Sequence, residues 1–154
     1  AMLSETLEYI EALVSGIDPS ALHIKPEEDS WSMNEILAHL RACADVWGKS
    51  ITRMLNEDNP TMRYVSPRTH MKKTDYAEQA FHDSFKIFQD QRNTLLEVLK
   101  ALPIDEWLRR GTFTGTTRGK NQTVYSYARR IAEHEHHHFS QMSRVLHVVT
   151  AEPT

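Results

Sequence analysis

Four stretches of the chain place apolar side chains three or four residues apart, the period of a helix that buries one face. In residues 3–17 the stripe is Leu3, Leu7, Ile10, Val14 and Ile17. Asp18-Pro19 ends it, because proline disfavours helical geometry in the residue before it. A second helix is predicted from Met33 to Glu57 on Met33, Ile36, Leu40, Ala44, Trp47, Ile51 and Met54, with Asn59-Pro60 beyond. Ser32 stands at its N-cap with Glu35 three residues on, the signature of a capping box. A third helix starts at Thr74 or Asp75 and runs through Ala77, Phe81, Phe85, Phe88, Arg92, Leu95 and Leu99 to Leu102, where Pro103 bounds it. The fourth spans Gln122 to Val149 on Val124, Ala128, Ile131, Met142, Val145 and Val149.

Four such segments with almost no alternating strand pattern predict an all-α protein, a four-helix bundle in one domain over residues 1–154. Residues 58–73 carry Pro60 and Pro67 and no clean period. They read as a long crossover, too long for a tight antiparallel turn, which leaves room for the second and third helices to run parallel. Residues 109–121 hold Gly111, Gly115 and Gly119 among threonines and basic residues, a flexible loop or a short hairpin. Arg109, Arg110, Arg118 and Lys120 there fit either an anionic substrate or simple solvation. A 40% apolar content excludes a disordered chain, and no stretch approaches a membrane span. The net charge of −3 gives no reason to expect nucleic acid. Cys43 is the one cysteine, so no internal disulfide forms; with no charged-then-apolar leader before Leu3, a reducing, cytoplasmic setting is expected.

Nine histidines are the compositional oddity, and two of them interrupt the last helix's stripe. Continuing Val124, Ala128 and Ile131 by helical spacing lands on His134 and His138 before the stripe resumes at Met142. Two neutral imidazoles aimed at an apolar interior need partners for their ring nitrogens. Polar core neighbours would serve, and so would a metal ion, for which histidine is the commonest ligand. On the second helix His39 lies beside the stripe within reach of a facing helix. His39, His134 and His138 would give three nitrogen ligands from two helices with a position left for water or substrate, as in a catalytic site. Cys43, one turn on, is either a fourth ligand or a small buried hydrophobe. Glu35 is either the capping acid or an acceptor for an imidazole N–H. His137 flanks the stripe, while His136 lies about 200° round the helix from His134 and should face solvent. Because ligand imidazoles must be neutral, metal binding should weaken as pH falls through about 6.5.

The run His134-Glu135-His136-His137-His138 also matches HExxH, the helix of zinc metalloproteases in which the glutamate is the general base. The rest of that pattern is missing: Arg144 and Gln141 stand where a third histidine and a glycine belong, and Glu152 is the only carboxylate downstream. Glu135 also points about 100° away from His134, so proteolysis is not expected, and Glu135→Gln should be nearly silent. His23, His70 and His82 are isolated and default to the surface, His147 has no evident partner, and Trp31 reads as a hydrophobic staple.

The segments SWSMNEILAHL (residues 30–40), the following DVWGKSITRML, and VYSYARRIAEHEHHHFSQM (residues 124–142) resemble the second-helix and last-helix signatures of the DinB-like superfamily. The resemblance implies a four-helix bundle with an up-down-down-up course. It also implies a divalent metal held by His39, His134 and His138; zinc is the first expectation, with nickel, iron and manganese as the alternatives. Gln141 falls at the signature's glutamine, while Glu135, His136 and His137 lie outside its ligand set. Around the ligands, Glu35, Cys43, His137 and Gln141 are the candidate pocket residues. The family's thiol S-transferases and thiol-dependent isomerases imply a small-molecule substrate and a low-molecular-weight thiol. A non-catalytic, stress-associated metal module is the alternative. A homodimer is the expected assembly.

Overall fold

The computed structural model describes residues 2–117 and 119–151; Ala1, Arg118 and Glu152 lie outside them. Its helices are α1 (Met2–Val14), α2 (Met33–Asn56), α3 (Pro67–Lys72), α4 (Phe81–Lys100) and α5 (Val124–Val149). Three short strands, β1 (Thr61–Arg63), β2 (Arg110–Thr114) and β3 (Asn121–Thr123), lie between them.

Two apolar clusters fix the course of the four long helices. One joins the C-terminal part of α1 (Ile10, Val14) to the N-terminal parts of α2 (Met33, Leu37) and α4 (Phe81, Phe85) and the C-terminal part of α5 (Met142, Val145). The other joins Leu3 of α1 to the C-terminal parts of α2 (Ile51, Met54) and α4 (Leu99) and the N-terminal part of α5 (Val124, Ile131). Hence α1 and α5 run one way and α2 and α4 the other: the chain goes up, down, down and up. As the sequence predicts, α2 and α4 are parallel.

The ends of the helices follow local chemistry. The amide of Glu35 donates to Ser32 Oγ at 3.1 Å and the amide of Ser32 to Glu35 Oε1 at 3.2 Å, so the capping box at α2 is formed. Thr123 and Ser126 make a second, reciprocal box at α5, with bonds of 3.0 and 2.8 Å. The third long helix begins at Phe81, later than Thr74 or Asp75. Asn34 Nδ2 of α2 donates to the carbonyls of Ala77 and Gln79, both at 3.0 Å, and holds that stretch as a 3-10 turn with an extended exit at Ala80.

The crossover is also more structured than its sequence suggests. It carries β1 and α3, and β1 pairs in parallel with β2 (Met62 opposite Phe113) while β2 pairs antiparallel with β3. The bundle therefore has a small three-stranded sheet at one end, an addition to the all-α expectation. Strands this short bury only Met62, Gly111 and Phe113, too few for an alternating pattern to show. Gly111 sits where a Cβ would come within 2.5 Å of Met62 Cε of β1 and 3.0 Å of Met54 Cγ of α2, so the strand packs close against both. Arg109, from the basic loop, donates to the carbonyls of Met54 (2.8 Å) and Glu57 (3.0 Å) and caps the end of α2.

Candidate metal centre

Because α2 and α5 pack side by side in opposite directions, His39 faces His134 and His138. Nε2 of His134 lies 3.2 Å from Nε2 of His39 and 3.1 Å from Nε2 of His138. One ring nitrogen from each of the three can be chosen so that all lie within 4.8 Å of one another. His39 and His138 are buried and His134 is half-buried.

Three neutral imidazoles cannot satisfy one another in this arrangement. Gln141 Oε1 accepts a 2.6 Å hydrogen bond from Nδ1–H of His138, which leaves the Nε2 of that ring with a lone pair aimed at the cluster. If His134 keeps its proton on Nδ1, that buried N–H has no partner among the described residues. If the proton is on Nε2, His39 must either face it with a second N–H or carry its own proton on a buried, unpartnered Nδ1. A cation accepting the three lone pairs removes the conflict. Tetrahedral zinc with ligands at about 2.0–2.1 Å sets neighbouring nitrogens about 3.3 Å apart, close to the 3.1 and 3.2 Å separations here. The donor set fits a borderline divalent ion.

Electrostatics keep the ligands ready. Burial, then the neighbouring His138 and the Arg68 guanidinium, hold His39 down at about 4. Burial and the other histidines hold His134 at about 3, and burial lowers His138 as well. All three are neutral near pH 7. The window in which protons compete for these nitrogens therefore lies below the 6.5 of a free imidazole.

The other candidates divide. Gln141 meets His138 through the 2.6 Å bond to Nδ1. Cys43 Sγ is 3.6 Å from His39 Nε2, but it stands outside the clustered nitrogens and burial raises its thiol pKa; it is a buried small side chain lining the cleft. Glu35 caps α2 and lies 3.6 Å from Lys25, with no bond to an imidazole. His137 is exposed on the cleft wall, its ring 6.0 Å from that of His138. Trp31 does more than staple a helix, because its ring lies 5.0 Å from that of His39. Trp47 meets His134 edge-on at 5.1 Å. The three histidines open onto a cleft of about 780 Å³ walled by α3 and α5. Arg110 and Lys120 of the basic loop are exposed and do not line it; Arg68, Arg129 and Arg130 do.

Glu135 is not the nearly silent position expected, though it is no general base. Only 2% exposed, it forms an ion pair with the equally buried Arg92 of α4 and accepts from Thr6 Oγ1 of α1 at 2.8 Å. Arg92 also donates to the Leu3 carbonyl at 2.8 Å. The HExxH glutamate thus faces the bundle interior and ties three helices together. The signal was present in the sequence: an arginine within the apolar stripe of the third helix requires a buried acid. His70, expected to be isolated, pairs with Asp45 at 3.0 Å.

A model of the DinB superfamily matches residues 2–142. Among solved structures, YfiT from Bacillus subtilis matches with a TM-score of 0.72 at 18% identity, over 94% of this chain and 81% of its own. It is described as "a probable metal-dependent hydrolase with an unusual four-helix bundle topology"; at that identity the likeness is one of fold. No curated protein matches significantly.

Proposed function

The chain belongs to the DinB superfamily, and from that premise we propose that it is a metal-dependent enzyme whose divalent ion, zinc foremost, is held by His39, His134 and His138. What supports the reading is the convergence of three histidine nitrogens within 4.8 Å of one another, with the Nε2 of His134 3.2 Å from that of His39 and 3.1 Å from that of His138 and no set of tautomers that satisfies all three rings. Three protein ligands leave a position for a small molecule, and they open onto a cleft large enough to admit one. A structural site would be closed by a fourth ligand, and Cys43 stands apart from the set. An ion there would lower the pKa of a bound water or thiol toward neutrality.

The protein's own part is to keep the ligands neutral by burial, to fix the His138 tautomer through Gln141, and to wall the site with Trp31 and Trp47. The reaction we assign is transfer of a low-molecular-weight thiol to an electrophile, or hydrolysis, the class named for the structurally similar YfiT. The proposal includes a cytoplasmic homodimer.

Protein purified without a metal-affinity tag should carry stoichiometric divalent metal, measured by elemental analysis. Its zinc-loaded form should turn over either a thiol with an electrophilic dye or an activated ester. Metal without turnover on either substrate class, together with an apo protein that fails to fold, would establish the non-catalytic module instead.

A further inference from the structure

Two arginines flank the histidines from different elements. The Arg68 guanidinium, on α3, lies 5.0 Å from the ring of Trp31, which itself packs 5.0 Å from His39. The Arg130 guanidinium, on α5, lies 5.5 Å from the ring of Trp47, which meets His134 at 5.1 Å. The same sequence of contacts, arginine to tryptophan to histidine, thus occurs twice, and both guanidiniums line the cleft onto which the histidines open.

Neither arginine has a carboxylate partner among the described residues. The remaining charges on the cleft wall, Arg129 and Glu133, pair with each other at 2.7 Å, and Glu135 is committed to Arg92. Among the arginines of the cleft, Arg68 and Arg130 thus keep positive charges that no carboxylate of the described residues offsets, and a divalent ion would add two more. A cleft lined by one sign of charge concentrates ligands of the other. A guanidinium resting against an aromatic ring can still offer N–H groups for the two-pronged bonds that carboxylates and phosphates accept; Arg130 is steadied further by the Tyr127 ring at 5.8 Å.

We propose that the substrate is an anion: a small molecule with a carboxylate or phosphate group gripped by Arg68 and Arg130 while its reacting atom lies at the three histidines. The reacting end rests on the metal-site reading above; the anion grip rests on the arginine contacts.

The full chain loaded with cobalt(II) is titrated with 3-mercaptopropionate, 2-mercaptoethyl phosphate and neutral 2-mercaptoethanol, and thiolate-to-cobalt absorption is read. At low salt at least one anionic thiol should bind about tenfold or more tightly than the neutral one, with the preference shrinking as salt rises; whichever anion leads names the group. R68Q and R130Q should each reduce that preference several-fold with little change for 2-mercaptoethanol, and R68K should retain part of it. Equal affinity for all three thiols, or a preference that survives both substitutions, overturns the proposal. If none gives a thiolate band, the thiol reading fails, and the anion grip is judged separately by the shift of the cobalt visible bands. Succinate should then bind better than succinamide in the parent protein and lose that advantage in R68Q and R130Q; no difference overturns the proposal.

Discussion

Replacing Arg92 by methionine removes one half of an ion pair whose side chains are 1% and 3% exposed. The Glu135 carboxylate would be left inside the bundle with only the Thr6 hydroxyl, and the Leu3 carbonyl would lose its donor. Leaving one partner of a buried pair uncompensated costs about 3–5 kcal/mol. That is a large share of the roughly 5–15 kcal/mol that holds a domain together. At about 2–4 °C per kcal/mol for a chain of this size, the melting temperature should fall by about 6–20 °C. E135Q should lie toward the lower end, because glutamine still accepts from Thr6 while leaving the guanidinium charge unmatched. The double variant R92M/E135Q removes both charges and should be less destabilised than the sum of the single changes, by about 1–3 kcal/mol of coupling. Urea and thermal unfolding of the four proteins provide the numbers. Single changes costing under about 1 kcal/mol, or a double variant equal to the sum, would refute the buried-pair argument. Below its melting point E135Q should keep full metal stoichiometry, because Glu135 faces α1 and α4 and not the histidines.

H134A and H138A should each abolish stoichiometric metal binding and leave the helical far-ultraviolet spectrum intact, whereas H136A, at an exposed position, should leave metal content unchanged. Q141L removes the acceptor of His138 Nδ1–H and should weaken metal affinity about 10–100-fold in competition with a chelator; an unchanged affinity would show that the tautomer is set elsewhere. For the metal-free protein, folded values of about 4 for His39 and about 3 for His134 against 6.5 unfolded mean that the native state binds fewer protons. Their stabilisation is fully present above pH 6.5 and is lost as pH falls toward 4 and then 3. Urea midpoints should therefore drop between pH 7.5 and pH 5, and a flat profile would contradict the burial of these rings.

The inward histidines of the last helix were legible in the sequence because a histidine in an apolar stripe has no inexpensive alternative to pointing inward. His134 and His138 interrupted a pattern that Ile131 and Met142 otherwise continued. The bundle's course was legible in the length of the connection between residues 58 and 73, and through the family resemblance. The antiparallel β2–β3 pair was one of the two readings of residues 109–121, but β1 was not legible, since its pairing with β2 joins residues some 50 positions apart (Met62 and Phe113) and buries too few side chains to leave a period. Glu135 was missed because it was weighed only against the adjacent His134. Its partner was already visible in the third helix, where Arg92 sits between Phe88 and Leu95. The cleft's arginines were sought in the glycine-rich loop, but Arg109 is consumed by the end of α2 and the cationic wall comes from Arg68 and Arg130.

His39 and His134 are separated by 95 positions along the chain. During synthesis α2 emerges long before α5, so a growing or truncated chain has no complete set of donors; α5 alone offers only an adjacent-turn pair. Bringing the two helices together closes a loop whose entropic cost scales as (3/2)RT ln n, about 4 kcal/mol at this length, which the packing of the finished bundle must already have met. The metal uptake proposed above would thus work as an inspection stamp, issued only once the last helix has seated against the second, and a chain that stalls or unravels at either end would forfeit it.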